Sequence, residues 1–139
     1  MELCRDAAAR ASREFRPEVV VAVARAGYVP GALVACLLRR DMVTLRLPSP
    51  VADGDPPVPE EIVASLAPLV AGRRALVVDE VNGTGGHLRR AQEAVRRAGA
   101  SGVRTLTLLA RRSGPAPDYC GAEGDVCVLQ PWVARVIPW

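Results

Sequence analysis

Residues 75–88 read ALVVDEVNGTGGHL, and this stretch constrains the fold of the chain more than any other. It opens on a run of Ala, Leu and Val that is apolar on both faces and too short for a helix, the pattern of a strand covered from both sides. It closes on a glycine cluster, after which helical spacing takes over. Leu88, Ala91, Val95 and Ala98 return to one face until Gly99 ends the pattern. Residues 103–110 (VRTLTLLA) then read as another strand. A strand, a helix and a strand in this order build a parallel sheet flanked by helices.

The same order recurs upstream. Leu3, Ala7, Ala11 and Phe15 mark an opening helix that stops near Arg16-Pro17, and residues 18–24 (EVVVAVA) form the first central strand. Arg25 to Val29 break that pattern, Pro30 suits the first turn of a helix running through GALVACLLRR, and residues 42–47 make the next strand. Residues 48–59 hold five of the twelve prolines, two aspartates and a glycine, so a packed helix or central strand is excluded there and a mobile excursion is expected. Residues 60–70 resume helical spacing through Ile62, Leu66 and Leu69, with Pro68 disturbing the last turn and Gly72 as a stop. Past a Gly/Pro-rich bend at 113–117, strand-like pieces at 125–129 and 133–137 close the sequence as a short hood. The expectation is a single α/β domain over residues 1–139 with a mostly parallel central sheet.

Composition narrows the function classes. A chain of 139 residues can bury most of its apolar surface without disulfides or metal. The net charge of +3 is small and its arginines are scattered, so nucleic acid is not indicated. Cys4, Cys36, Cys120 and Cys127 form no CxxC pair and His87 is the single histidine, which excludes a structural zinc site. The first residues carry mixed charge, and no run approaches the roughly 18 to 20 apolar residues of a membrane span. A cytoplasmic protein with free thiols and no membrane partner is expected.

In an open parallel sheet the ligand crevice lies outside the carboxyl ends of the strands, so Asp79-Glu80 and Arg25-Ala26-Gly27 are expected on the same side. A helix starting at Gly85-Gly86 presents unpaired N–H groups and a positive dipole end, and Gly83, Gly85 and Gly86 allow close approach of a phosphate, with Thr84 as an extra donor. The acid pair just before it suits neighbouring ribose hydroxyls, directly or through Mg²⁺. The same residues also suit a plain turn with solvated strand-end acids. Their place between a buried strand and an amphipathic helix favours the phosphate loop. The Walker and dinucleotide spacings are absent.

The segment VVDEVNGTGGHL resembles the phosphoribosyl pyrophosphate (PRPP) signature of type I phosphoribosyltransferases, and VAVARAGYVPGALVACLL resembles the pyrophosphate loop of their xanthine-guanine and other 6-oxopurine members. Near the end, DVCVLQPW resembles their purine-contacting segment. The resemblance implies Mg²⁺-dependent transfer of ribose 5-phosphate from PRPP to a nitrogenous base, most closely a purine, with release of pyrophosphate. It assigns the pyrophosphate to Arg25, Ala26 and Gly27. The ribose hydroxyls and Mg²⁺ go to Asp79 and Glu80, and the 5-phosphate to Gly83, Thr84, Gly85, Gly86 and His87. Arg25, Asp79 and Glu80 would carry catalysis. Arg111, Cys127 and Val128 would meet the base, and a homodimer or higher homo-oligomer is implied.

Two positions depart from purine-using relatives, which usually have an aspartate at Gly83 and a threonine at His87. His87 suits a phosphate donor or a solvated residue of the first helical turn, and Arg111-Arg112 a base contact or a charged strand end. Cys127 suits the base or the core as a small apolar residue. Trp132 and Trp139 fit closing the core or a subunit contact better than covering a base. The alternative to an enzyme is a catalytically silent PRPP or nucleotide sensor of the same fold. An RNA-binding regulator would need a coherent basic face.

Overall fold

Valine-rich runs form the middle of the sheet. In the computed structural model, which describes residues 2–49 and 54–125, β1 (Val19–Val23) is buried at every position, and β3 (Arg74–Asn82) is buried from Ala75 to Glu80. Around them lie β2 (Asp41–Leu45), β4 (Gly102–Ala110) and β5 (Tyr119–Glu123). The order is β2-β1-β3-β4-β5 and every pairing is parallel. Strands covered on both faces need no polar side, which is why β1 and residues 75–78 of β3 read as unbroken apolar runs.

The helices divide between the two faces. Helices α1 (Glu2–Glu14) and α2 (Tyr28–Leu38) cover one, where Cys4, Ala7, Ala8, Ala11 and Val34 pack with Val20, Leu76, Val78 and Leu106. Helices α3 (Glu60–Val70) and α4 (Gly86–Arg97) cover the other, where Val63, Leu66, Leu88, Ala91 and Val95 pack with Val19, Val21 and Val77. Small residues keep the layers close: a Cβ on Gly31 of α2 would collide with the Ala22 side chain of β1.

Five details differ from the sequence expectation. The buried stripe of α1 is Cys4, Ala7, Ala8 and Ala11 rather than one starting at Leu3, which is 40% exposed. The second strand is Asp41–Leu45, starting and ending earlier than 42–47. Helix α3 ends at Val70 as expected, but its buried stripe is Val63, Leu66 and Val70 rather than Ile62, Leu66 and Leu69, which is 46% exposed, and that packing holds the turn that Pro68 weakens. The acid pair lies within β3, which runs on to Asn82. An edge strand at Tyr119–Glu123 was not expected, since YCGAE carries little β-propensity. The strand-like pieces at 125–129 and 133–137 lie outside the described residues apart from Asp125, as do residues 50–53 of the excursion.

Candidate functional site

The chain switches direction between β1 and β3. From β1 it passes outward to β2, and it returns to β3 on the other side, so the loops after β1 and β3 diverge to opposite faces and leave a crevice between them. Arg25, Ala26 and Gly27 occupy the first loop, whose Ala24–Arg25 peptide is cis. Its start is held by Ala24 N–H donating to Leu45 O at 2.7 Å. Gly27 caps α2 and is pressed against the next strand: a Cβ there would lie 2.8 Å from Val78 O and 3.0 Å from Asp79 Cα. Glycine is what lets the loop touch β3 at its acidic end. Arg25 itself is exposed.

Asp79 and Glu80 are both 7% exposed, and strand alternation sends them to opposite faces. Asp79 follows Ala75 and Val77 towards α4; Glu80 follows Leu76 and Val78 towards α1 and α2. Asp79 Oδ1 accepts the Glu80 N–H at 2.7 Å, and its Oδ2 lies 3.1 Å from His87 Nδ1. His87 is therefore partly exposed and also ties the first turn of α4 to the Asp79 carboxylate.

The glycine loop has the form a phosphate cradle requires. Gly85 caps α4 at φ 83°, a left-handed conformation that favours glycine, and Arg89 N–H donates to Gly85 O at 2.9 Å. No side chain caps α4, so its first N–H groups stay available. Thr84 is exposed beside them. Gly83 has open space where a Cβ would stand, so packing does not demand a glycine there.

The bend at 113–117, which sequence reasoning left without a role, packs behind this loop. Pro115 lies against Gly85, Gly114 lies against Gly83 O, and Asn82 Nδ2 donates to Pro115 O. Arg111 N–H donates to Asn82 O at 3.0 Å, which places exposed Arg111 at the carboxyl end of β4 next to the loop. Cys127 and Val128, assigned to the base by resemblance, lie outside the described residues, as do Trp132 and Trp139.

For a metal ion, no cluster of three or more His, Cys, Asp or Glu exists among the described residues. The two strand-end carboxylates face apart. That donor set fits Mg²⁺, which is commonly held by one or two carboxylates with phosphates of the substrate, and does not fit an ion held by protein alone. No helix among the described residues is long and apolar enough to cross a membrane.

A model of the phosphoribosyl transferase domain family matches residues 1–137. No curated protein matches the chain. Among solved structures, a purine phosphoribosyltransferase from Pyrococcus horikoshii Ot3 is similar at a TM-score of 0.77 and 21% identity, over 98% of this chain and 90% of that one. A hypothetical protein from Neisseria gonorrhoeae with bound ppGpp is similar at 0.73 and 18%, over 95% and 83%. A hypoxanthine-guanine phosphoribosyltransferase from Bacillus anthracis is similar at 0.64 and 18%, over 88% and 74%.

Proposed function

Since the chain belongs to the phosphoribosyl transferase domain family and is by class a phosphoribosyltransferase, we propose that it transfers ribose 5-phosphate from PRPP to a purine-type base, with Mg²⁺, releasing pyrophosphate. The observation that carries this reading is the convergence on Asp79. The Arg25 loop touches its Cα through Gly27, and the phosphate-loop helix touches its carboxylate through His87. Two anion-binding segments therefore flank one buried acid, as a ribose with phosphates at both ends requires. The names of the P. horikoshii and B. anthracis structures support a purine as acceptor.

In this reading the backbone N–H groups from Gly83 to His87, with the Thr84 hydroxyl, hold the 5-phosphate at the helix dipole. Arg25, Ala26 and Gly27 hold the diphosphate. Asp79 and Glu80 approach the ribose hydroxyls from the two faces of β3 and offer carboxylate oxygens to Mg²⁺, which when bound neutralises the departing pyrophosphate. Charges fixed in place before the reaction stabilise an oxocarbenium-like transition state and its leaving group. Arg111 stands next to the loop as a donor to the base, and Cys127 and Val128 complete the base assignment.

A silent PRPP-binding protein is the second reading, favoured by Gly83. The position has room for an acidic side chain, and none is present to take the proton of the base. One experiment decides: incubate the protein with PRPP, Mg²⁺ and a panel of purine and pyrimidine bases, and follow pyrophosphate release together with thermal stability. Release with a purine is the expected result. Stabilisation by PRPP without release for any base would establish the silent reading, and no response to PRPP would overturn both.

A further inference from the structure

We infer that Arg90 is an additional ligand for the diphosphate of the phosphoribosyl donor, an inference that rests on the reading of this site as a PRPP site. Arg90 lies on α4 one turn beyond Gly86 and is 6% exposed, although it carries a full charge. Nη1 donates to Pro48 O at 3.0 Å. Among the described residues, the buried Nε and Nη2 have no acceptor and Arg90 forms no ion pair. A guanidinium removed from water without an anion is costly, and five fixed donors in one plane are suited to phosphoryl oxygens.

The topology says where this charge lies. Helix α4 packs on β3 and β4, whereas Pro48 follows β2, and β1 stands between β2 and β3 in the sheet. A side chain reaching from α4 to Pro48 therefore crosses the carboxyl end of β1, the strand from which the Arg25 loop departs. Long side chains on a helix lean towards its N-terminus, here the phosphate-loop end. The groups that cover this stripe of α4 also present oxygen: Pro48 O on Arg90, and the Asp55 carboxylate against Gly86. Arg97, further along α4, donates to Val58 O, so holding the excursion down does not depend on Arg90 alone. The position thus combines a buried cation, two free donors and a setting between the two anion-binding loops. A diphosphate binding there exchanges the Pro48 carbonyl for phosphoryl oxygens.

The test is to titrate PRPP, pyrophosphate and ribose 5-phosphate, at fixed Mg²⁺, into the native chain, Arg90→Gln and Arg90→Lys. Loss of charge-assisted bonds predicts that Arg90→Gln weakens PRPP and pyrophosphate by about 10- to 100-fold while ribose 5-phosphate binds as before, with Arg90→Lys in between. Unchanged PRPP and pyrophosphate affinity, or an equal loss for ribose 5-phosphate, overturns the inference and leaves the PRPP reading standing. Arg90-dependent pyrophosphate binding without PRPP binding supports the diphosphate site and defeats the PRPP reading. Should Arg90→Gln not fold, the Nε–H resonance of Arg90 in the native chain decides: pyrophosphate shifts it if the site is real, and an unmoved resonance overturns the inference.

Discussion

At the scale of single residues the site turns on Asp79. Its two oxygens are engaged by Glu80 N–H and by His87, so the carboxylate is oriented before any ligand arrives. The sequence left His87 between a phosphate donor and a solvated residue, because nothing in its spacing reports a contact eight residues back. The fold supplies that contact by running β3 on to Asn82 and starting α4 at Gly86. If the imidazole holds Asp79 for the ribose, His87→Ala should weaken PRPP binding by about 3- to 10-fold, the worth of one net hydrogen bond near 1 kcal/mol. Calorimetric titration measures it. A Kd equal to that of the native chain would reduce His87 to a bystander. Arg90 was illegible for a different reason: α4 holds four arginines, and only packing against Pro48 distinguishes the buried one from its solvated neighbours.

At the scale of elements, legibility followed burial. β1 and the first half of β3 were readable because strand segments enclosed on both faces are apolar, β4 because Leu106, Leu108 and Ala110 are buried along it, and α4 because an apolar face stands opposite its exposed arginines. β5 escaped notice since an edge strand buries only part of itself; Tyr119 alone is fully enclosed. Its register is fixed less by propensity than by Asp118, whose Oδ2 accepts from Thr105 N–H at 2.8 Å and from Thr105 Oγ1 at 2.9 Å. In α3 the proline breaks a local rule and is carried by tertiary packing, with Ala71 N–H still donating to Ala67 O at 3.0 Å. Pro68 is exposed, so no core contact is lost on removing it. Pro68→Ala should then restore a helical N–H and stabilise the chain by about 1 to 3 kcal/mol. Chemical denaturation tests this, and a destabilised variant would mean that Pro68 has a role beyond the helix.

At the scale of the whole molecule, the two ends of the sheet do different work. The carboxyl end collects the loops after β1 and β3 that carry the proposed site. The amino end is closed by Glu18, whose Oε2 accepts Arg74 N–H at 3.0 Å and lies 3.4 Å from Arg74 Nη1, while Arg73 Nη2 donates to Glu18 O at 2.7 Å. The carboxyl of Glu18 is held below its ordinary value of 4.5, chiefly by the Arg74 backbone N–H; desolvation opposes this next, and the charges of Arg74, Arg73 and Arg40 each add a smaller lowering. A carboxyl whose pKa is lower folded than unfolded adds stability in full above the unfolded value, and that stability is lost as pH falls through the folded value. Glu18→Gln should therefore be less stable than the native chain at neutral pH, and the difference should close as the pH drops below 4.5. Its PRPP affinity should equal that of the native chain, because β1 separates Glu18 from the Arg25 loop at the opposite end of the sheet. Urea melts of both proteins between neutral and acidic pH measure the gap. A difference that persisted unchanged into acid would show that Glu18 acts through packing or its neutral hydrogen bonds and not through its charge.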